Sequence, residues 1–520
     1  MSNPLDGRPT GNFPAKEMLL ESKARLSATE EEIAGTLNHL QRLENRRRDI
    51  LVDINALESP ILDLPAEIVC EIFLRCLLHP HVVPRAHDAP ILLTHVCRRW
   101  REIALSFPGL WTSISVSAVL THIGPQSEGL LNMLEAWLIR SASNLLSVSV
   151  LPALSVYLRG RSPFYMTIRD TAYRWCELEI IRPLEDYPIL LRKDDLWDLP
   201  QLKKLTLLLP TNTRPRSLQP DALSILTNAP VLCDVRLMGF SPTNLLLPWS
   251  QLTTLRADNL FPIECLQSLV ASPNLVSATF SFWKEENFFY LPSTAPIARL
   301  PHLQSLSLFA ADDEDHYTPL FDYFDLPALQ SLHLDLPPPP TADAYAPLTA
   351  LLSRSAILTT LSLDFRGFLP HSALTTLLQS ITQAQIHTLS LGMHAGITNG
   401  PLTAALRGNA DLLPHLMSLT LRERIDRYNE PLFVEGEVVD MLRARWENGK
   451  GTLKKFCLVT TQALPRAPNE LHPGWSSLAR EGMDIEVKSH GAGPFLVVYF
   501  NSRAIVNASK GKSTLKPKQE

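Results

Sequence analysis

The stretches PHLQSLSL (301–308), PALQSLHL (327–334) and ILTTLSL (357–363) share one pattern, L-x-x-L-x-L. The closing L-x-L alternates apolar with polar residues, which predicts a short strand whose leucines lie on one face. Between copies, SALTTLLQSI (372–381) carries apolar residues at the i, i+3, i+4, i+7 spacing of a helix. The pattern therefore predicts one strand and one helix per repeat, with neighbouring repeats burying a common leucine core.

Copies of this pattern extend well beyond those stretches. The middle apolar position recurs at 205, 235, 255, 278, 306, 332, 361, 389 and 419, with weaker copies at 148, 178 and 456. The mean spacing of about 27 residues lies within the range of about 20–29 that is typical of leucine-rich repeats. We therefore predict an α/β fold in which residues 145–480 form a leucine-rich-repeat-like solenoid of short parallel strands and helices. The asparagine or cysteine that usually follows L-x-L is mostly absent, so we expect no regular asparagine ladder.

Composition agrees with a folded protein and excludes several classes. The 520 residues are 45% hydrophobic and 19% charged, include 92 leucines and carry a formal net charge of −5. This balance argues against a chain that coats nucleic acid. The N-terminus lacks the apolar core of a secretory signal, no run of 18 apolar residues is present, and the seven cysteines are scattered. We expect a cytoplasmic and/or nuclear protein that binds neither nucleic acid nor membranes.

The first 58 residues divide into two parts. Residues 1–16 are rich in glycine, proline and asparagine, so we expect disorder there. In the charged segment 17–58, apolar residues fall on a seven-residue series that is interrupted at Arg47: Leu19, Leu26, Ile33, Leu40 and Ile54. A companion series starts in the fourth heptad: Leu43, Ile50 and Leu57. This pattern predicts a coiled-coil helix, which either self-associates or packs on its own protein.

Residues 59–112 contain three short motifs in a fixed order. LPAEIVCEIF (64–73) predicts a helix with Pro65 at its first position, VCRRWREIA (96–104) lies in a second helix that opens near Pro90, and PGLW (108–111) ends it. Together the helices carry more apolar surface than about 50 residues can bury among themselves. This segment resembles an F-box. With the repeats, the whole chain resembles the F-box proteins with irregular leucine-rich repeats of mushroom-forming fungi.

The resemblance implies a substrate-recruiting subunit of a ubiquitin ligase. The F-box would bind a Skp-type adaptor, and through it a cullin, while the repeats would hold an unknown protein target for ubiquitin-dependent degradation. Carried onto this sequence, the resemblance assigns the adaptor-binding face or its support to eight residues: Leu64, Pro65, Ile68, Ile72, Phe73, Val96, Cys97 and Trp100. The alternative for these residues is a self-contained helical core. The alternative for the chain is a non-ligase scaffold that uses the coiled coil and the repeats.

The remaining segments carry fewer signals. We expect residues 113–144 to form a linker region with a short strand-like piece that starts at Thr112 and a helix, 481–506 to form C-terminal strands that cap the solenoid, and 507–520 to be a disordered basic tail. The sequence contains no GxSxG, HExxH or GxGxxG motif. It therefore predicts no catalytic residue, no cofactor and no metal, and so a non-enzymatic subunit.

Overall fold

The computed structural model describes residues 13–58, 60–77, 86–115, 128–150, 163–181, 198–209, 226, 228–242, 245–282, 295–310, 317–337, 341–365, 371–381, 384–393, 399–408, 412–423, 435–448, 452–460, 472–489 and 496–500. The chain divides into two compact units. The first comprises Met1–Leu77 with Pro90–Phe107, and the second comprises Leu78–Ala89 with Pro108–Glu520. The predicted disordered tail 507–520 lies outside the described residues, as do residues 1–12.

The first unit begins with one long helix. Helix α1 spans Phe13–Glu58, which at 1.5 Å per residue makes it about 69 Å long. Its sequence has no proline beyond the first turn and one glycine, so helical backbone continues without interruption. Residues 13–16 belong to this helix, in contrast to the disorder expected for them. A 3-10 turn at Pro60–Asp63 follows.

Helix α2 spans Ala66–Arg75, close to its predicted start. Pro65 is its N-cap residue rather than its first helical residue. Glu67 in the first turn and Arg75 in the last complement the helix dipole. One face of α2 is buried through Val69 and Phe73, which lie four residues apart.

The single helix predicted between Pro90 and Pro108 is wrong. The structure has helix α3 at Leu93–Val96 and helix α4 at Arg98–Ser106, separated by one extended residue, Cys97, with φ −154° and ψ 171°. The Cys97 sulfur accepts a hydrogen bond from the Trp100 backbone N–H at 3.4 Å, so it caps α4. This local bond satisfies an N–H that a continuous helix would have bonded to a carbonyl.

The second unit is built on a sheet that has 15 strands among the described residues. The strands in chain order are β1 Ser113–Ser115, β2 Leu146–Val150, β3 Trp175–Ile181, β4 Lys204–Leu208, β5 Asp234–Met238, β6 Thr254–Leu260, β7 Ser277–Phe282, β8 Ala298–Arg299, β9 Ser305–Ala310, β10 Phe324–Asp325, β11 Ser331–Leu336, β12 Thr360–Phe365, β13 Thr388–Met393, β14 Ser418–Glu423, β15 Lys455–Thr460, β16 Asp484–Ser489 and β17 Leu496–Phe500. Strands β8 and β10 pair only with each other, and the other fifteen follow chain order.

The strands pair in parallel until the last pair, β16 with β17, which is antiparallel. Leu306 in β9 is the register partner of Leu332 in β11, which in turn partners Leu361 in β12. All nine middle positions predicted from the sequence align in this way, and each is at most 1% exposed. The predicted repeat and its α/β class are therefore confirmed.

Eight helices in the described part of the second unit lie between strands along the chain. They are α5 Glu128–Arg140, α6 Pro163–Arg169, α7 Pro262–Ala271, α8 Ala346–Arg354, α9 His371–Ser380, α10 Asn399–Gly408, α11 Glu435–Asn448 and α12 Pro473–Arg480. The predicted apolar stripe of α9 is buried, with Leu374, Leu377 and Leu378 at most 2% exposed.

Both ends of the sheet extend the predicted repeat region. Strand β1 lies in the segment expected to be a linker, and its Ile114 is the register partner of Val148. At the other end, Ile485 of β16 partners Phe456, and β17 then closes the sheet. Strands β16 and β17 lie within the segment 481–506, where C-terminal strands were expected.

Long side chains satisfy loop carbonyls where an asparagine ladder would have done so. Arg174, 8% exposed, donates to the carbonyl of Asn144 at 2.8 and 2.9 Å and to the hydroxyl of Ser141 at 2.8 Å. Gln251 donates to the carbonyls of Ala229 and Leu232. Burial lowers the pKa of Arg174, but an arginine stays charged at neutral pH.

Candidate protein-interaction surfaces

The eight predicted adaptor-binding residues differ widely in exposure. Ile68 and Val96 are 48% and 53% exposed, and Pro65 is also exposed. Four others are half-buried: Leu64, Ile72, Cys97 and Trp100. Phe73 is fully buried, so it can only support such a face. The structure thus separates this set into surface residues and residues that hold the helices together.

An aromatic pair joins α2 to α4. The Phe73 and Trp100 rings pack edge to face, with centroids 5.0 Å apart and an interplanar angle of 65°. Such pairs stabilise by about 0.5–1.5 kcal/mol beyond their buried area. The Trp100 Nε1–H is buried and has no hydrogen-bond partner within the described part of the chain. Trp100 is therefore a packing anchor whose polar edge is left unsatisfied.

Two arginines of α4 fix the turns beside it. The Arg99 guanidinium donates to the carbonyl of Leu64 at 2.7 Å, which ties α4 to the start of α2. The Arg101 guanidinium donates to the carbonyl of Thr94 at 2.7 Å across the break at Cys97. These contacts give the RRWR stretch a structural role that the sequence reading did not assign.

Three further exposed apolar residues follow α1 in the same unit, and Leu105 near the end of α4 is the least exposed of them, at 37%. Ile61, in the turn before α2, and Leu92, just before α3, are each 43% exposed. Sequence reasoning missed Ile61 because it lies before the first predicted helix, and it missed Leu92 because this residue precedes the VCRRWREIA motif within the second. Ile61, Ile68, Leu92 and Val96, each more than 40% exposed, form what we call the apolar set of the first unit.

Helix α1 exposes its apolar series completely. Every residue from Glu17 to Val52 is exposed, and the series from Leu19 to Ile54 is 42–57% exposed. Thr29 and Thr36 lie on the companion series, and their hydroxyls donate to the carbonyls of Arg25 and Glu32 at 2.8 Å. Because the helix itself satisfies these hydroxyls, each threonine can present its methyl group to a partner.

The solenoid presents a polar strand face, formed by the residues that alternate with the leucines. In β9 to β14 this face is mostly small and uncharged: Ser305, Ser307, Ser331, His333, Thr360, Ser362, Thr388, Ser390, Ser418 and Thr420. In β3 to β6 it is charged: Glu177, Glu179, Lys204, Asp234, Arg236 and Arg256. The charged stretch therefore differs in chemistry from the middle of the solenoid.

The charged stretch contains a groove of about 350 Å³, lined by residues of β3, β4, β5 and β6. At its β3 end, Glu177 and Glu179 accept hydrogen bonds from the hydroxyls of Ser147 and Ser149 at 3.1 and 3.0 Å. At its β5–β6 end, Arg236 and Arg256 are register partners. The groove thus has two carboxylates at its β3 end and two guanidinium groups at its β5–β6 end, and Lys204 of β4 and Asp234 of β5 also line it.

An ion pair joins two strands, β12 and β14, across the strand that lies between them. Arg422 of β14 lies 3.6 Å from Asp364 of β12, whose side chain is 3% exposed. Gly392 of β13 lies between them in the register. A Cβ atom on Gly392 would lie 2.1 Å from the Asp364 carboxylate, so only glycine leaves room for this ion pair.

The described cysteine thiols and possible metal ligands were the remaining candidates for chemistry. Burial is the main cause that raises the pKa of four cysteine thiols: Cys70, Cys176, Cys265 and Cys457. A neutral thiol is a poor nucleophile and metal ligand. Among the residues that the structure describes, no group of three or more potential ligands could hold a metal ion. None of the helices searched is long and apolar enough to cross a membrane.

The fold and these surfaces define a class of protein: a leucine-rich-repeat-like solenoid preceded by a helical unit. Such a fold is suited to protein interaction. The sequence matches no protein-family model, and no curated protein matches it. A solved structure similar to this chain is the leucine-rich repeat-containing protein LegL7 from Legionella pneumophila. It is 17% identical with a TM-score of 0.35, over 60% of this chain and 89% of LegL7.

Proposed function

We propose that the chain is a non-catalytic, substrate-recruiting subunit of a Skp-adaptor/cullin-type ubiquitin ligase. One observation carries this proposal: the unit whose sequence resembles an F-box leaves its apolar set, Ile61, Ile68, Leu92 and Val96, 43–53% exposed. Apolar surface that a unit leaves exposed beyond scattered single residues is typical of a partner-binding surface. A helical adaptor surface would bury them, and Phe73 and Trp100 would hold the helices in position.

The solenoid would hold the target. Its polar strand face offers a continuous series of side chains from parallel strands, and its groove is lined by charges of both signs. The ligase would then act through proximity, because a bound target has a high effective concentration near the conjugating enzyme. No bond would form or break on this chain.

Copurification with a Skp-type adaptor tests the proposal. The variants Ile68→Glu and Val96→Glu place a charge on exposed positions, so folding should be retained while adaptor binding falls at least about tenfold. Trp100→Ala is a poorer test because it removes the packing against Phe73. Ile139→Glu is the matched control, since Ile139 is 77% exposed on α5 of the other unit. A folded wild-type chain that does not bind the adaptor contradicts the proposal.

A scaffold is the second candidate function, and the exposed series of α1 favours it. A scaffold would self-associate through α1 and bind partners through the repeats without any ligase. Sedimentation of the full chain with and without adaptor separates the two functions. A chain that self-associates and fails to bind the adaptor is a scaffold.

A further inference from the structure

The basic end of the groove holds two arginines, Arg236 and Arg256, with the Asp234 carboxylate of β5 in the same lining. Arg236 and Arg256 face each other across adjacent strands, and like charges in directly opposed positions destabilise a sheet. Asp258 is 3.9 Å from Arg236, beyond hydrogen-bond distance, and the Arg236 Nε is buried without a hydrogen-bond partner in the described part of the chain. Side-chain exposure of Arg236 is 43%, so its outer nitrogens remain accessible to a ligand.

We propose that Arg236 and Arg256 bind the carboxylates of an extended acidic segment in a protein target. A guanidinium group binds a carboxylate through two parallel hydrogen bonds, which makes arginine pairs well suited to acidic peptides. Residues i and i+2 of an extended chain point the same way and lie about 6.6 Å apart. Two such carboxylates can therefore reach guanidinium groups on neighbouring strands, which are about 4.8 Å apart.

The two glutamates at the β3 end of the same groove set the orientation in which the acidic segment can bind. Glu177 and Glu179 would repel further carboxylates, so the segment must carry neutral or basic residues where it passes β3. Strands β3 and β6 are three strand spacings apart, or about 14 Å, which an extended segment covers in about four residues. The groove thus selects a segment with an acidic end and a neutral or basic end.

This inference rests on the proposed target-holding role of the strand face, and its test uses no adaptor. The probe is a fluorescein-labelled peptide with the core Glu-Gly-Glu, and its anisotropy is measured against the purified full chain at low salt. Arg236→Gln and Arg256→Gln should each weaken binding at least about tenfold. Lys455→Gln, which removes a charge from exposed Lys455 on distant β15, should leave binding unchanged.

A stability measurement makes the test independent of folding defects. Because Arg256 faces a like charge, Arg256→Gln should leave Tm unchanged or raise it slightly. Equal peptide binding by wild type and both arginine variants would overturn the proposal, as would a lower Tm for Arg256→Gln than for Lys455→Gln. Failure of adaptor binding would contradict the ligase proposal and leave this result untouched.

A second, independent inference concerns the orientation in which α1 pairs with another copy. In heptad terms the a positions are Leu19, Leu26, Ile33, Leu40, Arg47 and Ile54. The d positions are polar in the first half of the helix, at Ser22, Thr29 and Thr36, and apolar in the second half, at Leu43 and Ile50. The apolar seam therefore consists of the a positions alone in the first half, and of both a and d positions in the second half, interrupted at Arg47.

The two possible orientations treat this asymmetry differently. In a parallel, in-register dimer, Arg47 meets Arg47 of the second copy in the core, and each polar d residue meets itself. In an antiparallel dimer a faces d, so Leu26 meets Ile50, Ile33 meets Leu43, and Arg47 meets Thr29. Burying two like charges against each other costs several kcal/mol per ion, so the core favours the antiparallel arrangement.

Charges on the flanks contribute less. The antiparallel pairing brings Glu32 beside Arg46 of the second copy, and it also brings Glu30 beside Glu44. Parallel pairing would bring Arg25 beside Glu30. Each exposed pair is worth at most about 1 kcal/mol, so the flanks cannot offset the Arg47 core contact. The structure assigns α1 an antiparallel association with a second copy of the chain.

Disulfide trapping of the full-length chain tests this orientation. A mixture of the single variants Leu26→Cys and Ile50→Cys should give the crosslinked heterodimer, and Leu26→Cys alone should give no more dimer than wild type. The wild-type chain is the baseline because it contains seven cysteines, of which Cys76 is exposed. Crosslinking of Leu26→Cys alone would establish the parallel orientation and overturn the inference. This inference rests on the proposed self-association, and a chain that sediments as a monomer contradicts both.

Discussion

The two units use their apolar residues in opposite ways. In the solenoid, the nine middle positions of the repeats are at most 1% exposed, because each strand lies between two neighbours that carry the same residue type. In the first unit, Ile68 and Val96 are about half exposed, and α1 exposes its whole apolar series. Apolar periodicity is present in both units. The units differ in how many elements of the chain pack beside each apolar face. The apolar residues of the first unit are therefore available to a partner, whereas those of the solenoid form its own core.

The largest loss of stability is expected when a leucine side chain of the repeat core is truncated. Leu332→Ala removes a fully buried side chain between Leu306 and Leu361 and leaves a cavity, so the free energy of unfolding should fall by about 2–5 kcal/mol. Val96→Ala in the first unit should change it by less than about 0.5 kcal/mol. Urea unfolding followed by circular dichroism measures both. Similar losses for the two variants would break the comparison.

Removal of a buried arginine should come next. Arg445 on α11 is 9% exposed and donates to the carbonyls of Leu406, Leu412 and Leu413. Arg445→Met leaves these acceptors without their donor, which should cost about 3 kcal/mol. Arg407→Met is the control, because Arg407 is 59% exposed in a pair with Asp440 at 3.7 Å. A loss in the control as large as in Arg445→Met would mean that burial does not govern the effect.

Substitution of Gly392, which lies between Asp364 and Arg422 in the register, should destabilise the protein less. Gly392→Ala places a Cβ atom 2.1 Å from the Asp364 carboxylate, and overpacking of this kind costs about 1–3 kcal/mol. The control is Gly35→Ala in α1, where no atom lies within 4 Å of the new Cβ and helix propensity should gain about 1 kcal/mol. Thermal unfolding should therefore show opposite signs for the two substitutions. An unchanged Tm for Gly392→Ala would show that Asp364 can move aside.

The repeated part of the fold could be predicted from the sequence because the same apolar spacing recurs in every repeat. Register partners such as Leu361 and Leu389 follow directly from the spacing of L-x-L. Strand β1 coincides with the strand-like piece expected from Thr112, but its place in the repeat sheet was not predicted, because its three residues carry no L-x-x-L before Ile114. The bulge before Leu260, with Asn259 at φ +66°, was also missed, because one residue's left-handed conformation leaves no periodic signal.

The interaction surfaces were predicted less completely. The motif indicated Ile68 and Val96, which are exposed, together with Phe73, which is buried. A motif records which residues occur together, and exposure depends on how α2 and α4 pack. The groove was not predicted, because Arg236 and Arg256 are 20 residues apart and only the register of β5 with β6 makes them neighbours.

The smallest predicted effect concerns the break between α3 and α4, where the first unit departs from a simple periodic helix. The Cys97 sulfur caps α4, so Cys97→Ala should destabilise α4 locally by about 1 kcal/mol, and Cys97→Ser should retain the cap or improve it. Hydrogen exchange at the Trp100 amide measures this directly, and the alanine variant should exchange about fivefold faster. Equal exchange in all three proteins would mean that the arginine contacts to Leu64 and Thr94 alone hold the break. In that case the first unit, like the solenoid, would rely on side chains that satisfy loop carbonyls.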